Sequence, residues 1–209
     1  DFYGEELEGK KYEHPLIDEV PYQNELSKES DKVHSIILSE EYVSVSEAVG
    51  LVHTAPGHGP EDFEVGVEYG LPIFNPVDIR GNYKEEAGKF AGKNIFEANQ
   101  EILDLLEEKG TLILTGEIEH EYAHCWRCGS KLVYRATKQW FFKTEDLAPQ
   151  LLEKNKEIYW IPDWAGDKWF NSWLTTLQDW CISRQRFWGI PLSVWICDNE
   201  DCQDTIVIG

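Results

Sequence analysis

Two cysteine pairs constrain this chain more than any other feature. Cys125 and Cys128 stand in "CWRC", Cys197 and Cys202 in "CDNEDC", and 68 residues separate the pairs. A Cys-x-x-Cys knuckle presents two thiolates from one tight turn, because the short spacing lets both sulfurs point into one tetrahedron. A second pair must complete such a site. Strand-like text flanks each pair, "KLVYRA" after the first and "PLSVWI" before the second. Two hairpin-borne pairs are therefore expected to make a structural zinc site of four thiolates; the alternative is two unrelated buried thiol pairs. A closed four-thiolate site leaves no open coordination position, so its role is folding and not catalysis. His124, beside Cys125, is a weaker stand-in ligand, and Cys181 stands alone.

An odd count of five cysteines in this layout fits a reduced, cytoplasmic protein better than a secreted disulfide scaffold. With 209 residues the chain has room for one large domain or two small ones. No apolar run approaches the ~18 residues of a membrane span, and no secretory pattern opens the sequence. "DFYGEELEGKKYEHP" reads as mid-protein text, so the chain is expected to be a piece of something larger. The formal net charge of −20 argues against unaided backbone-driven nucleic-acid binding, which needs clustered Lys and Arg. It leaves room for a nucleic acid delivered by other domains.

Residues 1–32 are polar and read as loop with short extended pieces. "VHSIIL" (33–38), "EYVSVS" (41–46) and "AVGLVHTA" (48–55) are extended candidates. Pro60, the acids after it and Gly70 predict a short helix over 61–70. "LPIFNPVDIRGNY" (71–83) reads as two short strands around a turn at Gly81-Asn82. The clearest helix is 94–109, where Ile95, Ala98, Ile102, Leu105 and Leu106 recur at helical spacing between Asn94 and Gly110. "TLILTGEIEHEY" (111–122) returns as strand. The fold class expected is α+β, with a β-barrel-like module over 1–121. All nine tryptophans follow, from Trp126 to Trp195, and such density more often means packing than ligand stacking. Residues 122–209 are expected to form a small, zinc-ribbon-like, Trp-rich module.

The densest polar constellation is "GLVHTAPGHGPEDF" (50–63), with two histidines, two prolines, three glycines and an acidic pair. Gly-Pro clusters are ordinary loop punctuation, and composition alone does not separate a site from a turn. Longer strings do. "GLVHTAPGHGPEDFEVG" resembles the editing domain of class I isoleucyl-tRNA synthetases. "NPVDIRGNY", "HCWRCGSKLVYRATKQWF", "WIPDWAG" and "DWCISRQRFWGIPLSVW" follow in that family's order. The valyl enzymes carry a different string at "HTAPGHG", and the leucyl enzymes are more distant.

That resemblance implies an enzyme that uses ATP and Mg2+ to attach isoleucine to tRNA-Ile. A hydrophobic pocket rejects a side chain one methylene smaller by only about 1–3 kcal/mol, and isoleucine against valine is the standard illustration. A second site, in an inserted β-rich domain, therefore hydrolyses Val-tRNA. On this reading 1–121 is the C-terminal portion of the editing domain, and 122–209 is a zinc-bearing connector re-entering the catalytic domain. Asp62 holds the substrate's α-ammonium and His53 lines the pocket near the aminoacyl group, making them the candidate catalytic residues. A rigidly held carboxylate supplies a charge-assisted hydrogen bond, typically ~1.5–3 kcal/mol. Gly57 and Gly59 permit close approach of the terminal adenosine and ester. His58 and Glu61 either line the mouth or stabilise the loop, and Asp78 either contacts substrate or, as favoured here, holds a turn. The ester is already activated, so orienting one water suffices without a covalent nucleophile.

The implied partners are tRNA-Ile and valine and isoleucine aminoacyl esters, with no membrane and no DNA. Arg184 and Arg186 in "SRQRFWG" either meet tRNA phosphate or pair with acids. The family's Thr-rich "TTTPWT"-type segment and its "HIGH" and "KMSKS" motifs do not occur in this sequence. The chain is thus expected to hold one wall of the editing site and to be weak or inactive alone. Two other readings stay open: a non-catalytic zinc-stabilised module that positions tRNA, and the equivalent region of a valyl-type enzyme.

Overall fold

The computed structural model describes residues 3–44, 50–117, 119–185, 189–199, 201–202 and 204–208. Helix α1, Tyr22–Glu29, buries only Leu26. Its stretch "YQNELSKE" is otherwise polar, which leaves no apolar stripe for a sequence reading to find. Helix α2, Pro60–Tyr69, starts at Gly59 with proline in its first turn, where a missing N–H is harmless. Glu61 and Asp62 sit at the positive end of its dipole. Gly70 (φ 67°) ends it in the left-handed region, and Leu71 N–H closes onto Gly66 O at 2.8 Å.

Helix α3, Ile95–Glu108, is capped by the Asn94 side chain, which accepts from Phe96 N–H at 3.1 Å. Its other end closes with Gly110 N–H on Glu107 O and Thr111 N–H on Leu106 O, each 2.9 Å. That is a Schellman closure, which satisfies carbonyls the helix leaves open. The face of α3 packs on the main core: Ala98 joins Leu16, Val20, Ala87 and Phe90, with Tyr83, Ile102, Leu105 and Leu106 around them. This is the periodic face that the spacing predicts.

The chain divides into two compact units, Asp1–Ala136 and Thr137–Gly209. The sequence reading puts a boundary near 121. The division falls later because Leu132 N–H bonds Ala123 O (3.0 Å) and Ala136 N–H bonds Gly57 O (2.8 Å), tying that stretch to the first unit.

In the second unit β1, Phe141–Phe142, pairs antiparallel with β2, Trp180–Cys181, Phe141 lying opposite Cys181. Asp179 Oδ1 accepts from Thr144 and Glu145 N–H (2.9 and 3.1 Å), holding the turn that leads to α4, Ala148–Asn155. A π-helical turn, Ala165–Phe170, runs into α5, Asn171–Thr175, which buries Leu174 completely. Buried Asn155 joins these pieces: Nδ2 donates to Gly166 O (3.1 Å), and Oδ1 accepts from Trp160 Nε1 (2.9 Å). A Cβ at Gly166 would stand 2.1 Å from the Trp160 ring. Strands β3, Val194–Ile196, and β4, Thr205–Val207, form an antiparallel hairpin with Trp195 opposite Ile206.

Several strand-like runs build no ladder. Residues 33–38 make one isolated bridge, Lys11 with Ser35, and 71–83 make two, Val77 with Tyr83 around a turn at Gly81 (φ 82°) and Asn82 with Asn94. Within 111–117, Ile113 and Leu114 are 99% and 87% exposed. The candidates at 41–46 and 48–55 fall partly on 45–49, outside the described residues. Among the described residues the two-stranded sheets do not close into a barrel, and no helix is long and apolar enough to cross a membrane.

Candidate functional site

The loop entering α2 is built by backbone bonds and one carboxylate. His58 N–H donates to Ala55 O at 2.8 Å, and Phe63 N–H to Gly59 O at 2.9 Å. Asp62, from the first turn of α2, reaches back so that Oδ1 accepts Ala55 N–H at 2.7 Å. Oδ2 lies over Gly59, where a Cβ would stand 2.1 Å from it, so only glycine leaves the carboxylate in place. Gly57 is pinned more tightly. Its Cβ would meet Phe74 O at 1.9 Å, and its own carbonyl accepts Ala136 N–H at 2.8 Å.

His58 Nδ1 is 3.0 Å from Tyr134 O. A carbonyl only accepts, so Nδ1 carries the proton of that bond. The same imidazole borders a cavity of about 350 Å³ walled by Val77, Tyr83, Ile95, Phe96 and Val133. His53 and Glu61 are exposed. Asp78 Oδ1 accepts Arg80 N–H (2.7 Å) and Asn82 N–H (2.9 Å), which engages it in its own turn. Those bonds, Asn82's first, together with the charges of Arg80 and Arg135, hold its carboxyl below the usual carboxylate range.

The fold assembles a histidine pair that sequence spacing does not signal. The His14 and His34 rings are 5.3 Å apart, and His34 Nε2 sits 2.9 Å from Gln23 Oε1. Burial, then the charges of His34, His53 and Lys109, hold His14 down to about 4, from an ordinary 6.5. Isolated histidines in "EHP" and "VHS" carry no spacing clue; only the fold brings them together. The sign follows from linkage. Between 6.5 and about 4 the unfolded chain binds a proton at this position that the folded chain refuses. This contribution is complete above 6.5 and is lost as pH falls through that window. Urea unfolding should therefore show a lower midpoint at acid pH, with a smaller drop in His14→Gln; an identical drop in both proteins would refute the contribution.

Each cysteine pair occupies a hairpin tip. Cys125 N–H donates to Ser130 O (2.8 Å), Gly129 (φ 71°) turns the chain, and His124 bridges Lys131. Cys128 Sγ is 3.3 Å from Ser130 Oγ. Hydrogen bonding from Ser130, by side chain and then backbone, and from Cys125 brings the Cys128 thiol down to about 7. Cys197 N–H donates to Asp204 O (2.8 Å) and Cys202 N–H to Asn199 O (3.0 Å), at the tip of β3–β4. The first pair belongs to the first unit and the second pair to the second. All five cysteines are free, and among the described residues no three or more His, Cys, Asp or Glu gather as a metal-holding group. His124 Nδ1 is 2.8 Å from Tyr122 O. Arg184 Nη1 donates to Cys181 O and Ser183 O, each 2.7 Å, while Arg186 lies outside the described residues.

Residues 8–207 match the family described as tRNA synthetases class I (I, L, M and V), and the chain belongs to that family. Within it, the chain is similar to curated isoleucine–tRNA ligases. That of Archaeoglobus fulgidus is 50% identical over 208 residues, covering 100% of this chain and 19% of that protein. The one from Methanopyrus kandleri is 49% identical over 208 residues, with the same coverage of 100% and 19%. That of Pyrococcus horikoshii is 50% identical over 208 residues, 99% of this chain and 19% of that protein. The chain thus spans about a fifth of the length of the relatives it matches.

Proposed function

We propose that this segment contributes the hydrolytic editing loop of an isoleucine–tRNA ligase. The whole enzyme would attach isoleucine to tRNA-Ile with ATP in the cytoplasm, and the loop at 53–62 would clear valine from mischarged tRNA-Ile. The observation that carries the reading is the placement of Asp62. Its carboxylate is oriented by Ala55 N–H, sits at a helix start, and has glycine beneath it. A fixed carboxylate of this kind suits the α-ammonium of an aminoacyl ester. Holding the ammonium orients the ester carbonyl for attack by water. The acyl carbon–oxygen bond then breaks, the ribose hydroxyl regains its proton, and free valine leaves. His53, exposed on the same loop, is assigned to discrimination at the aminoacyl group.

In the full-length enzyme, His53→Ala should keep Val-tRNA-Ile hydrolysis but begin to deacylate correctly charged Ile-tRNA-Ile. Side-by-side deacylation of the two substrates is the measurement, and unchanged discrimination overturns the role of His53. We propose further that Cys125, Cys128, Cys197 and Cys202 are the ligands of a structural zinc, on the paired spacing of the four thiols in the sequence. Their donor chemistry fits, since thiolate sulfur is the ligand a closed structural zinc site takes.

A further inference from the structure

We infer that Asn75 and Arg135 are positioning residues that hold the editing loop from behind; the catalytic consequence rests on the reading above. The segment Tyr134–Ala136 is clamped against the 57–77 stretch by four bonds. Ala136 N–H donates to Gly57 O (2.8 Å) and His58 Nδ1 to Tyr134 O (3.0 Å). Asn75 Nδ2 donates to Ala136 O (2.9 Å), and Arg135 Nε to Val77 O (2.9 Å). Asn75 Oδ1 also accepts Val77 N–H at 3.1 Å, which fixes which end of the amide faces Ala136.

Ala136 is thereby gripped through both of its backbone groups, once by Gly57 and once by Asn75. The side-chain bonds bridge 61 and 58 residues of sequence, so no local turn supplies what they supply. Gly57 also packs its Cα against the Phe74–Asn75 backbone, where a Cβ would stand 1.9 Å from Phe74 O, so the loop lies directly on the segment that carries Asn75. From Gly57 the chain runs directly through Gly59 into the first turn of α2 and Asp62. A shift at 57–58 is therefore delivered to the carboxylate. A displacement of about 1 Å at a reacting group costs on the order of a hundredfold in rate.

Residues that act through the loop, and do not touch substrate, should change turnover more than binding. In the full-length ligase, Asn75→Asp keeps the shape and the contact to Val77 but turns an acceptor toward Ala136 O. Arg135→Ala removes the other side-chain clamp. Each should lower kcat for Val-tRNA-Ile deacylation by about ten- to a hundredfold, with KM and isoleucine aminoacylation little changed. Arg135→Lys should recover part of the loss. Amide exchange at His58 and Phe63, whose N–H groups close the loop, supplies a second readout. It should quicken in both variants whether or not the loop edits, so the strap is tested even if Asp62 proves irrelevant to deacylation. Unchanged exchange at those amides overturns the inference, as does a raised KM at constant kcat, the mark of direct substrate contact.

Discussion

Replacing Asp62 by alanine in the full-length ligase should abolish Val-tRNA-Ile hydrolysis while isoleucine activation stays near normal. Losing a charge-assisted bond to the ammonium accounts for ~1.5–3 kcal/mol, and losing the orientation of the ester adds to that. A fall of at least about a hundredfold in deacylation is the expected size. Alanine alone leaves an ambiguity, because Asp62 also ties Ala55 N–H to the helix start at 2.7 Å. Asp62→Asn resolves it. The amide oxygen of asparagine still accepts from Ala55, so the loop stays closed, but no negative charge faces the substrate. If the charge does the work, both variants lose hydrolysis. If Asn keeps the parental rate and Ala does not, Asp62 is a loop tie only and the editing role assigned to it is wrong.

Helices α2 and α3 were legible because their start and stop residues and apolar spacing are local properties. Pro60 and Gly70 bracket the first; Asn94, Gly110 and the Ile95-to-Leu106 face define the second. Helix α1 was not, since one buried leucine makes no stripe. The strand-like runs failed for the opposite reason. Branched residues at 33–38 and 111–117 favour extended backbone, yet a ladder needs a partner that propensity does not name. Tryptophan density after residue 121 reads as packing, and Trp160 and Trp164 do make ring contacts, with Phe170 at 5.2 Å and Trp169 at 4.7 Å. Trp169, Trp173, Trp180 and Trp195 nonetheless stay largely exposed.

At the site the same division holds. The glycines, Pro60 and Asp62 announce a tight loop before a helix. Asp62 bonding Ala55 and Gly59 making room for it are contacts inside the loop that composition does not specify, and the bonds of Asn75 to Ala136 and Arg135 to Val77 span 61 and 58 residues. No spacing rule contains them.

Zinc removal should melt the β3–β4 hairpin before anything else in the second unit. The two strands have three residues each, and Trp195, Ile196, Ile206 and Val207 all stay exposed on them. A lone two-stranded hairpin is marginal in water, and so few buried contacts call for a staple. Cys197 and Cys202 sit at its tip, where Asn199 Oδ1 accepts Asp201 N–H (3.1 Å) and shapes the turn between them. Structural zinc in small thiolate sites is worth ~10–16 kcal/mol in apparent binding, more than enough to set such a hairpin. Purified protein should therefore carry about one zinc per chain. A strong chelator should expose the Cys197 and Ile208 amides, which bond Asp204 O and Ser193 O, to exchange. Protection around buried Leu174 and Asn155 should persist, because that core has its own contacts. Cys197→Ser and Cys202→Ser should each lose most of the metal, as should Cys125→Ser, whereas Cys181→Ser, placed on β2, should retain it. Metal well below one equivalent, or a hairpin equally protected with and without chelator, would leave the four thiols as separate pairs, with β3–β4 held by something other than metal.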